Sequence, residues 1–333
     1  MQYRKLGTSD LEVPTIIFGA WAIGGWYWGP QNDADSIRTI HAALDAGITC
    51  IDTAPMYGMG HSEEVVGRAI ADRRDQVLLA TKCGLRWDTP DEGVEYFTCR
   101  MPDGSEHPVR RNLCKRAILE EVEQNLSRLN TDYIDLYQCH WPDKSAPIAE
   151  TMDALITLKD QGKIRAIGVS NFTVPMLEEC IQHAPLASDQ PPYSLLRRDI
   201  EDDVLPFCRE HDIGVIVYSP LQQGLLTGKM TPNRELHDDD YRKRQKWFTT
   251  TNRQRVLDAL DQIRPIAEAH DATFAQTTLA WTIAQPGVTA AIVGARTVQQ
   301  AAENAKAGDI TLSDDELARI RAVFDDLGGP VDD

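Results

Sequence analysis

Short β-branched runs alternate with amphipathic helical patterns along nearly the whole chain, and this alternation limits the folds that the chain can adopt. Each helical pattern places apolar residues three and four positions apart, and several patterns end in glycine, a favoured helix stop. Eight runs are predicted as strands, at 15–21, 48–53, 77–82, 133–138, 165–170, 186–190, 213–219 and 289–295. Strands that alternate with helices are typical of a parallel sheet.

Eight such units predict a closed (β/α)8 TIM barrel, and the alternative is an open doubly wound sheet. The open sheet usually carries a Gly-x-Gly-x-x-Gly turn after its first strand, and the first turn here, FGAWAIGGWYWG, lacks that spacing before a helix. No linker or shift of composition divides the chain, so residues 1–333 are predicted to form a single domain. The longest interruptions are loops at 83–112 and 221–253.

Charge and cysteine content exclude several classes of partner. A formal net charge of -17 disfavours nucleic acids and anionic membrane surfaces, which attract basic proteins. The seven cysteines are widely spaced and include no Cys-x-x-Cys pair, so neither a disulfide framework nor a metal site is expected. The first residues lack the apolar region of a signal peptide, and we expect a cytoplasmic protein whose partner is a small molecule.

Unusual polar residues lie at or just beyond the predicted carboxyl ends of the strands. In a barrel these ends converge on one mouth, together with the loops that follow them. The residues are Asp52, Tyr57, Lys82, His140, Ser170, Asn171, Gln190, Tyr218, Ser219, Gly294 and Arg296. We therefore expect the functional site at this mouth.

An aspartate, a tyrosine, a lysine and a histidine together suit the movement of a proton to or from an alcohol or carbonyl oxygen. A phenol normally keeps its proton well above neutral pH, and the Lys82 cation would favour the phenolate, so Tyr57 becomes a better acid or base. Asp52 would hold Lys82 charged and oriented. His140 would hydrogen-bond the reacting oxygen and fix the orientation of the substrate.

Each of these four residues also has a structural interpretation when it is taken singly. An aspartate at a strand end often caps a turn, a rim lysine is common, and a buried histidine is often a satisfied core residue. Tyr57 can be a loop aromatic. Their occurrence together at successive strand ends favours chemistry over four unrelated structural roles.

Six segments resemble those of the aldo-keto reductase family, in the same order along the chain: GITCIDTAPMYGMGHSEEVVG, ATKCG, DYIDLYQCHWPD, GKIRAIGVSNF, VYSPLQQGLLTGK and AIVGARTVQQAAEN. The branch that it resembles includes general stress and aldose or polyol reductases and the β subunits of potassium channels. The resemblance implies a (β/α)8 barrel without a metal that transfers a hydride between NADP(H) and a carbonyl or alcohol. It also implies that Asp52, Tyr57, Lys82 and His140 form the catalytic tetrad, with Tyr57 as the general acid or base.

The resemblance also assigns cofactor contacts. Ser170, Asn171 and Gln190 match the residues that bind the nicotinamide carboxamide, and Tyr218 matches the aromatic that stacks on its ring. The pyrophosphate segment contributes Ser219, Leu221, Gly224 and Lys229, and the adenosine end contributes Gly294, Arg296, Gln300, Glu303 and Asn304. Arg296 at a helix start suits a 2′-phosphate, so NADP is preferred over NAD, which stays possible. The alternatives are a core role for Tyr218 and a solvated Arg296.

Substrate recognition is less defined by the sequence. The chain ends soon after LSDDELARIRAVFDDLGG, without the long carboxyl-terminal loop of the steroid and aldose reductase branch. Candidate lining residues are instead Trp21, Trp26, Trp28, Trp87, Asp88, Tyr96, Phe97 and Trp141, although several of these tryptophans can simply pack loops. Two other functions remain open: a nucleotide-sensing protein resembling channel β subunits, with little turnover, and a Schiff-base aldolase that uses Lys82 as nucleophile.

Overall fold

A closed parallel barrel forms the centre of the molecule. The computed structural model describes residues 1–25, 28, 31–89, 92–100, 104–237 and 240–332. Eight strands follow one another around the barrel in chain order: β1 (Ile16–Gly19), β2 (Cys50–Asp52), β3 (Leu78–Cys83), β4 (Ile134–Cys139), β5 (Ile164–Ser170), β6 (Ser188–Gln190), β7 (Gly214–Tyr218) and β8 (Ala290–Gly294). Parallel pairing of β8 with β1 closes the barrel. The predicted (β/α)8 barrel is therefore confirmed, and the open sheet is excluded.

Helices cover the outside of the barrel. Within the described residues they are α1 (Asp33–Asp45), α2 (His61–Ile70), α3 (Lys115–Leu129), α4 (Ile148–Asp160), α5 (Val174–His183), α6 (Val204–Glu210), α7 (Thr250–Ala269), α8 (Phe274–Ile283), α9 (Val298–Lys306) and α10 (Asp314–Leu327). Side-chain caps fix several starts, including capping boxes at Thr273 and Ser313. Short 3-10 helices lie at Trp21–Gly24, Arg74–Gln76, Asp199–Glu201, Gln222–Thr227, Tyr241–Arg244, Lys246–Phe248 and Ala307–Asp309.

An antiparallel hairpin that the sequence did not reveal precedes the barrel. Its strands, Tyr3–Lys5 and Glu12–Pro14, bring Leu6, Leu11 and Val13 against inward-facing residues of the barrel. These three side chains are almost fully buried. The hairpin thus covers one end of the barrel with apolar surface, which leaves the opposite mouth for the polar residues.

The segment after β3, predicted as a loop over 83–112, contains a small antiparallel sheet. Its strands are Leu85–Arg86, Val94–Arg100 and Glu106–Arg111, with the last of these in the middle. Cys99 and Val109 from this sheet pack with Met56 and Leu85 in a separate apolar cluster. The sheet therefore has a small core of its own, next to the turn that carries Tyr57.

No helix in the described part of the chain is long and apolar enough to cross a membrane. The seven cysteines in the same part form no disulfide, and six of them are buried.

Candidate active site

Three barrel strands bring Asp52, Lys82 and His140 together. Asp52 ends β2, Lys82 lies in β3, and His140 directly follows β4. The Lys82 side chain is fully buried, and its Nζ donates hydrogen bonds to Asp52 Oδ1 at 2.6 Å, to the Thr53 carbonyl at 2.9 Å and to the Tyr57 hydroxyl at 3.2 Å. These three acceptors match the three donors of an ammonium group, so the lysine is held in one orientation.

Tight packing of two turns fixes Tyr57 in this arrangement. Gly58 has a φ of +68°, and a Cβ atom there would lie 2.4 Å from the Gly24 carbonyl oxygen. A Cβ atom on Gly24 would in turn lie 2.7 Å from the carbonyl carbon of Tyr57. Only glycine allows both the left-handed turn and this close approach, so the backbone of Tyr57 is set by its two glycine neighbours.

The Tyr57 phenol carries opposing electrostatic influences. Burial raises the pKa of Tyr57, and the Lys82 charge offsets only part of that shift, so the net direction is upward. The sequence-based expectation that Lys82 makes the Tyr57 phenolate easier to form does not hold for the net pKa, because burial outweighs the effect of Lys82. Burial also works against a charge on Lys82, but Asp52 and Tyr57 overcome it and raise the pKa of that ammonium. At neutral pH the site consequently holds a neutral phenol beside a cation.

His140 also packs against Tyr57. Its ring meets the Tyr57 ring edge to face, with centroids 5.8 Å apart. Burial, and then the charge of Lys82, lower the pKa of His140 well below its ordinary value. Its Nδ1 is buried and has no hydrogen-bond partner among the described residues. The imidazole is therefore neutral at neutral pH.

The four residues matched to the nicotinamide lie beside this group. Tyr218 is only partly buried, and its hydroxyl donates to Asn171 Oδ1 at 2.9 Å. Asn171 has a φ of +64°, and its Nδ2 donates to Ser170 Oγ and to the His140 carbonyl. Gln190 is buried, and its Nε2 donates to Asp52 Oδ2 at 2.8 Å. A polar, partly open surface thus adjoins Tyr57.

The segment after β7 has an unusual backbone. Positive φ angles occur at Ser219, Gln222, Gln223 and Gly224, with values of 57°, 45°, 55° and 92°. Leu221 is buried immediately before this turn. Within the turn, the N–H groups of Gln222 and Gly224 donate to the carbonyls of Ser219 and Leu221.

Lys229, at the end of this segment, contacts the helix after β8. Its Nζ lies 3.1 Å from Glu303 Oε2, and Glu303 also accepts a hydrogen bond from the Thr273 hydroxyl at 2.8 Å. The expected phosphate ligand and the expected adenosine ligand are therefore paired with each other. Sequence reasoning did not foresee this contact, since the two residues are 74 positions apart.

Arg296, at the start of α9, is held by the first βα loop. Its guanidinium donates to Gln31 Oε1 at 2.9 Å and to the Trp28 carbonyl at 3.1 Å. Its backbone N–H donates to Gln300 Oε1, and Asn304 Nδ2 donates to the carbonyl of exposed Gly294. Arg296 is thus partly buried and anchored, which differs from a solvated arginine.

Aromatic side chains surround the mouth. Trp21 lies 6.2 Å from the Tyr57 ring and 5.3 Å from the Trp28 ring, measured between centroids. Trp141, which follows His140, lies 5.6 Å from the Tyr96 ring. Trp87, Phe97 and Trp141 pack against the apolar cluster of the small sheet, Asp88 pairs with Arg86, and Trp26 lies outside the described residues.

Residues 15–325 match the sequence model of the Aldo/keto reductase family. The chain belongs to the aldo-keto reductase family. Among curated relatives, the chain is 40% identical to "Aldo-keto reductase YhdN" of Bacillus subtilis, over 99% of this chain and 96% of that protein. It is 38% identical to the "NADH-specific methylglyoxal reductase" of Escherichia coli, over 98% of this chain and 99% of that protein.

Solved structures agree with this assignment. The glycerol dehydrogenase AKR11B4 from Gluconobacter oxydans superposes on this chain with a TM-score of 0.87 at 38% identity. The match covers 99% of this chain and 97% of the dehydrogenase chain. An aldo/keto reductase from Klebsiella pneumoniae in complex with NADP and acetate gives a TM-score of 0.72 at 31% identity, covering 97% and 96%. A "Probable voltage-gated potassium channel subunit beta" of Arabidopsis thaliana is 32% identical over 93% of this chain and 92% of that protein. Hydride transfer with a nicotinamide cofactor is the chemistry of this family.

Sequence reasoning missed two residues that contact residues of the site. Gln138, in β4, is fully buried and contacts both Asp52 and Gln190. Arg242 donates to the Gln223 carbonyl at 3.1 Å and forms a two-pronged ion pair with Asp240. Strand alternation could have revealed Gln138, because it shares a face of β4 with the position of His140 two residues later. No comparable signal marks Arg242 in its long segment.

Proposed function

We propose that this chain transfers a hydride between NADP(H) and a small aldehyde, ketone, sugar or polyol, with Tyr57 as the general acid in reduction and the general base in oxidation. The observation that carries the proposal is the contact of Lys82 Nζ with both Asp52 Oδ1, at 2.6 Å, and the Tyr57 hydroxyl, at 3.2 Å. This geometry places a permanent positive charge next to a protonated phenol, as proton donation to a carbonyl oxygen requires.

The residues present fit a nicotinamide nucleotide. Gln190 Oε1 accepts no hydrogen bond from the described residues, and Tyr218 is partly buried with its hydroxyl bonded to Asn171 Oδ1. Ser170, Asn171, Gln190 and Tyr218 would hold the nicotinamide. Ser219, Leu221, Gly224 and Lys229 would hold the pyrophosphate, through close backbone approach and the positive charge of Lys229. When bound, the nicotinamide supplies or accepts the hydride.

The proton moves through Tyr57. In reduction, the carbonyl carbon would receive the hydride while the phenol O–H bond breaks and the carbonyl oxygen takes the proton, so that an alcohol and a phenolate result. Lys82 stabilises that phenolate, because its ammonium lies 3.2 Å from the phenol oxygen and cannot leave its three acceptors without losing hydrogen bonds. In oxidation the same steps run in reverse.

His140 orients the substrate oxygen. Its imidazole is neutral, and its Nδ1 is buried without a partner among the described residues. A buried N–H without an acceptor is rarer and more costly than a buried lone pair, so the single ring proton belongs on Nε2. His140 therefore donates a hydrogen bond to the oxygen that receives the Tyr57 proton.

NADP is the proposed preferred cofactor. The Arg296 guanidinium donates to the oxygens of Gln31 and Trp28, and the residue lies at the start of α9, a position that suits a 2′-phosphate. Burial and then the positive charge of Arg242 lower the pKa of Arg296, and Asp240 offsets part of that shift. Glu303, whose carboxylate would favour NAD at the ribose, is instead paired with Lys229. The NADH-specific relative keeps NAD open as a second cofactor.

The test is a substrate panel. Purified protein is mixed with NADPH, and separately with NADH, and absorbance is followed with aldehydes, ketones, sugars and, in the reverse direction, polyols. We expect turnover with at least one small carbonyl and a loss of that turnover in Tyr57→Phe. Correctly folded protein that binds the nucleotide and reduces nothing in the panel would refute the proposal.

A second candidate is a nucleotide-sensing binding protein, favoured by the relative described as a probable potassium-channel β subunit. It predicts tight nucleotide binding, negligible steady-state turnover and stoichiometric capture of a protein partner. The Schiff-base alternative is weaker, because such chemistry needs a neutral amine whereas Asp52 and Tyr57 raise the pKa of Lys82. Borohydride trapping of a carbonyl compound on Lys82 would nonetheless establish it.

A further inference from the structure

Gln138 links the two halves of the site. Its fully buried side chain projects from β4 between Asp52 and Gln190. Its Nε2 donates to Asp52 Oδ2 at 3.2 Å, and its Oε1 accepts from Gln190 Nε2 at 3.1 Å. The carboxylate that holds Lys82 is therefore connected to the amide that would bind the nicotinamide.

We propose that Gln138 is a positioning residue that fixes the orientation of the Gln190 amide and thereby makes Gln190 Oε1 an acceptor for the amino group of the nicotinamide carboxamide. The proposal rests on the proposed function. It concerns how this chain recognises the carboxamide and connects that recognition to the Asp52–Lys82 pair.

The orientation follows from the hydrogen-bond inventory of the three side chains. An ionised carboxylate only accepts, so the atoms of Gln138 and Gln190 that face Asp52 Oδ2 must be the Nε2 groups. Gln190 Nε2 has two hydrogens, and these go to Asp52 Oδ2 and to Gln138 Oε1. Its Oε1 accepts no hydrogen bond from the described residues, so this atom is left for the ligand.

Without Gln138 the Gln190 amide would be held by one hydrogen bond instead of two. One hydrogen of Gln190 Nε2 would then be buried without an acceptor, a situation that folded proteins avoid. The contact of Gln190 Nε2 with Asp52 Oδ2 would remain and would still disfavour a flipped amide. Gln138 therefore adds the second of the two hydrogen bonds that hold the plane of the Gln190 amide and direct its Oε1.

The barrel is shaped to hold this side chain. A Cβ atom on Gly168, in the neighbouring strand β5, would lie 2.9 Å from Gln138 Cγ and 2.7 Å from Ser188 Oγ. Glycine at this position leaves the space in which the Gln138 side chain lies between the strands. A larger residue at Gly168 would displace the Gln138 side chain, so the position of Gln138 depends on this glycine.

The first experiment measures nucleotide binding and needs no turnover. NADP and its 3-acetylpyridine analogue, which has a methyl group in place of the carboxamide amino group, are titrated by tryptophan fluorescence into wild type and Gln138→Leu. We expect wild type to bind NADP about 3- to 10-fold more tightly than the analogue, the value of one hydrogen bond. In Gln138→Leu this ratio should fall to within about twofold, because the Gln190 amide is then held by one hydrogen bond and its Oε1 is no longer fixed toward the ligand.

Three outcomes of this titration are distinct. An unchanged ratio in Gln138→Leu would overturn the proposal, and so would a wild type that does not distinguish the two nucleotides. A wild type that binds neither nucleotide would refute the proposed function itself. Thermal unfolding of both proteins shows whether the variant is folded.

A second variant keeps the proposal testable if Gln138→Leu does not fold. In Gln138→Glu, the carboxyl can still accept from Gln190 Nε2 in either protonation state, as the amide oxygen of Gln138 does. We expect this variant to keep the preference for NADP over the analogue. Loss of the preference in folded Gln138→Glu would overturn the proposal.

Discussion

Replacement of Tyr57 by phenylalanine removes the one atom on which the proposed chemistry depends. The lost hydroxyl accepts a hydrogen bond from Lys82 Nζ at 3.2 Å, while Lys82 keeps Asp52 Oδ1 at 2.6 Å and the Thr53 carbonyl at 2.9 Å. The cation therefore stays paired and buried. The phenyl ring can retain its contacts with Trp21 and His140, so the change is confined to the reacting position.

These contacts determine the expected magnitudes. Loss of one hydrogen bond at a partly exposed hydroxyl lowers the free energy of unfolding by about 0.5 to 1.5 kcal/mol. Loss of a general acid lowers the rate of reduction by about 10²- to 10⁴-fold, which corresponds to about 3 to 5 kcal/mol in the activation barrier. The Kd for the nucleotide should change little, because the hydroxyl acts on the substrate oxygen.

Single-turnover loss of NADPH absorbance, with an active carbonyl substrate, measures the chemical step, and fluorescence titration measures the Kd. Thermal unfolding serves as the control for folding. A Tyr57→Phe protein that reduces the substrate within about tenfold of the wild-type rate would refute the role of Tyr57 as general acid. A loss of rate fully accounted for by weaker nucleotide binding would refute it as well.

Three further predictions concern Lys82, Arg296 and Glu121, a buried residue of α3 whose Oε2 accepts a hydrogen bond from the Gly84 N–H at 2.8 Å. Lys82→Met should also slow reduction, and the double variant with Tyr57→Phe should lose much less than the product of the two single effects, because the residues act as a unit; multiplicative rate losses would show independent roles. Arg296→Ala should weaken binding of NADP by about 1.5 to 3 kcal/mol and that of NAD little, measured by fluorescence titration, and equal losses would show that Arg296 does not contact the 2′-phosphate. Burial raises the pKa of Glu121 from 4.5 to about 8 in the folded protein, so ionisation of this carboxyl destabilises the fold increasingly as the pH rises from 4.5 to about 8. Glu121→Gln should therefore be less sensitive to pH than wild type in urea unfolding across that window, and equal pH dependence would contradict the assignment.

The barrel strands were predictable because their apolar runs are strong local signals. The predicted 289–295 contains the observed β8, Ala290–Gly294, and the predicted 213–219 contains β7, Gly214–Tyr218. The strand Val94–Arg100 escaped prediction for a physical reason. Only Cys99 among its seven residues is buried, so the sequence shows no alternation of apolar and polar residues.

The candidate site was predictable where residues lie at strand ends and was missed where tertiary contacts decide. Asp52 and Lys82 could be placed at one mouth from topology alone, because parallel strands end on the same side. The Lys229–Glu303 pair joins residues from different βα units, and only the closed barrel brings them together. The upward net shift in the pKa of Tyr57 likewise depends on burial, which no short sequence motif reports.

Transfer of deuterium from the cofactor to the product tests the central claim most directly. NADPH that carries deuterium at both C4 positions is incubated with the protein and an active aldehyde, and the alcohol is analysed by mass spectrometry and NMR. The account predicts deuterium bound to the former carbonyl carbon in wild type, and the same position of label at a much lower rate in Tyr57→Phe. Product without deuterium at that carbon, or label transfer in Tyr57→Phe as fast as in wild type, would contradict it.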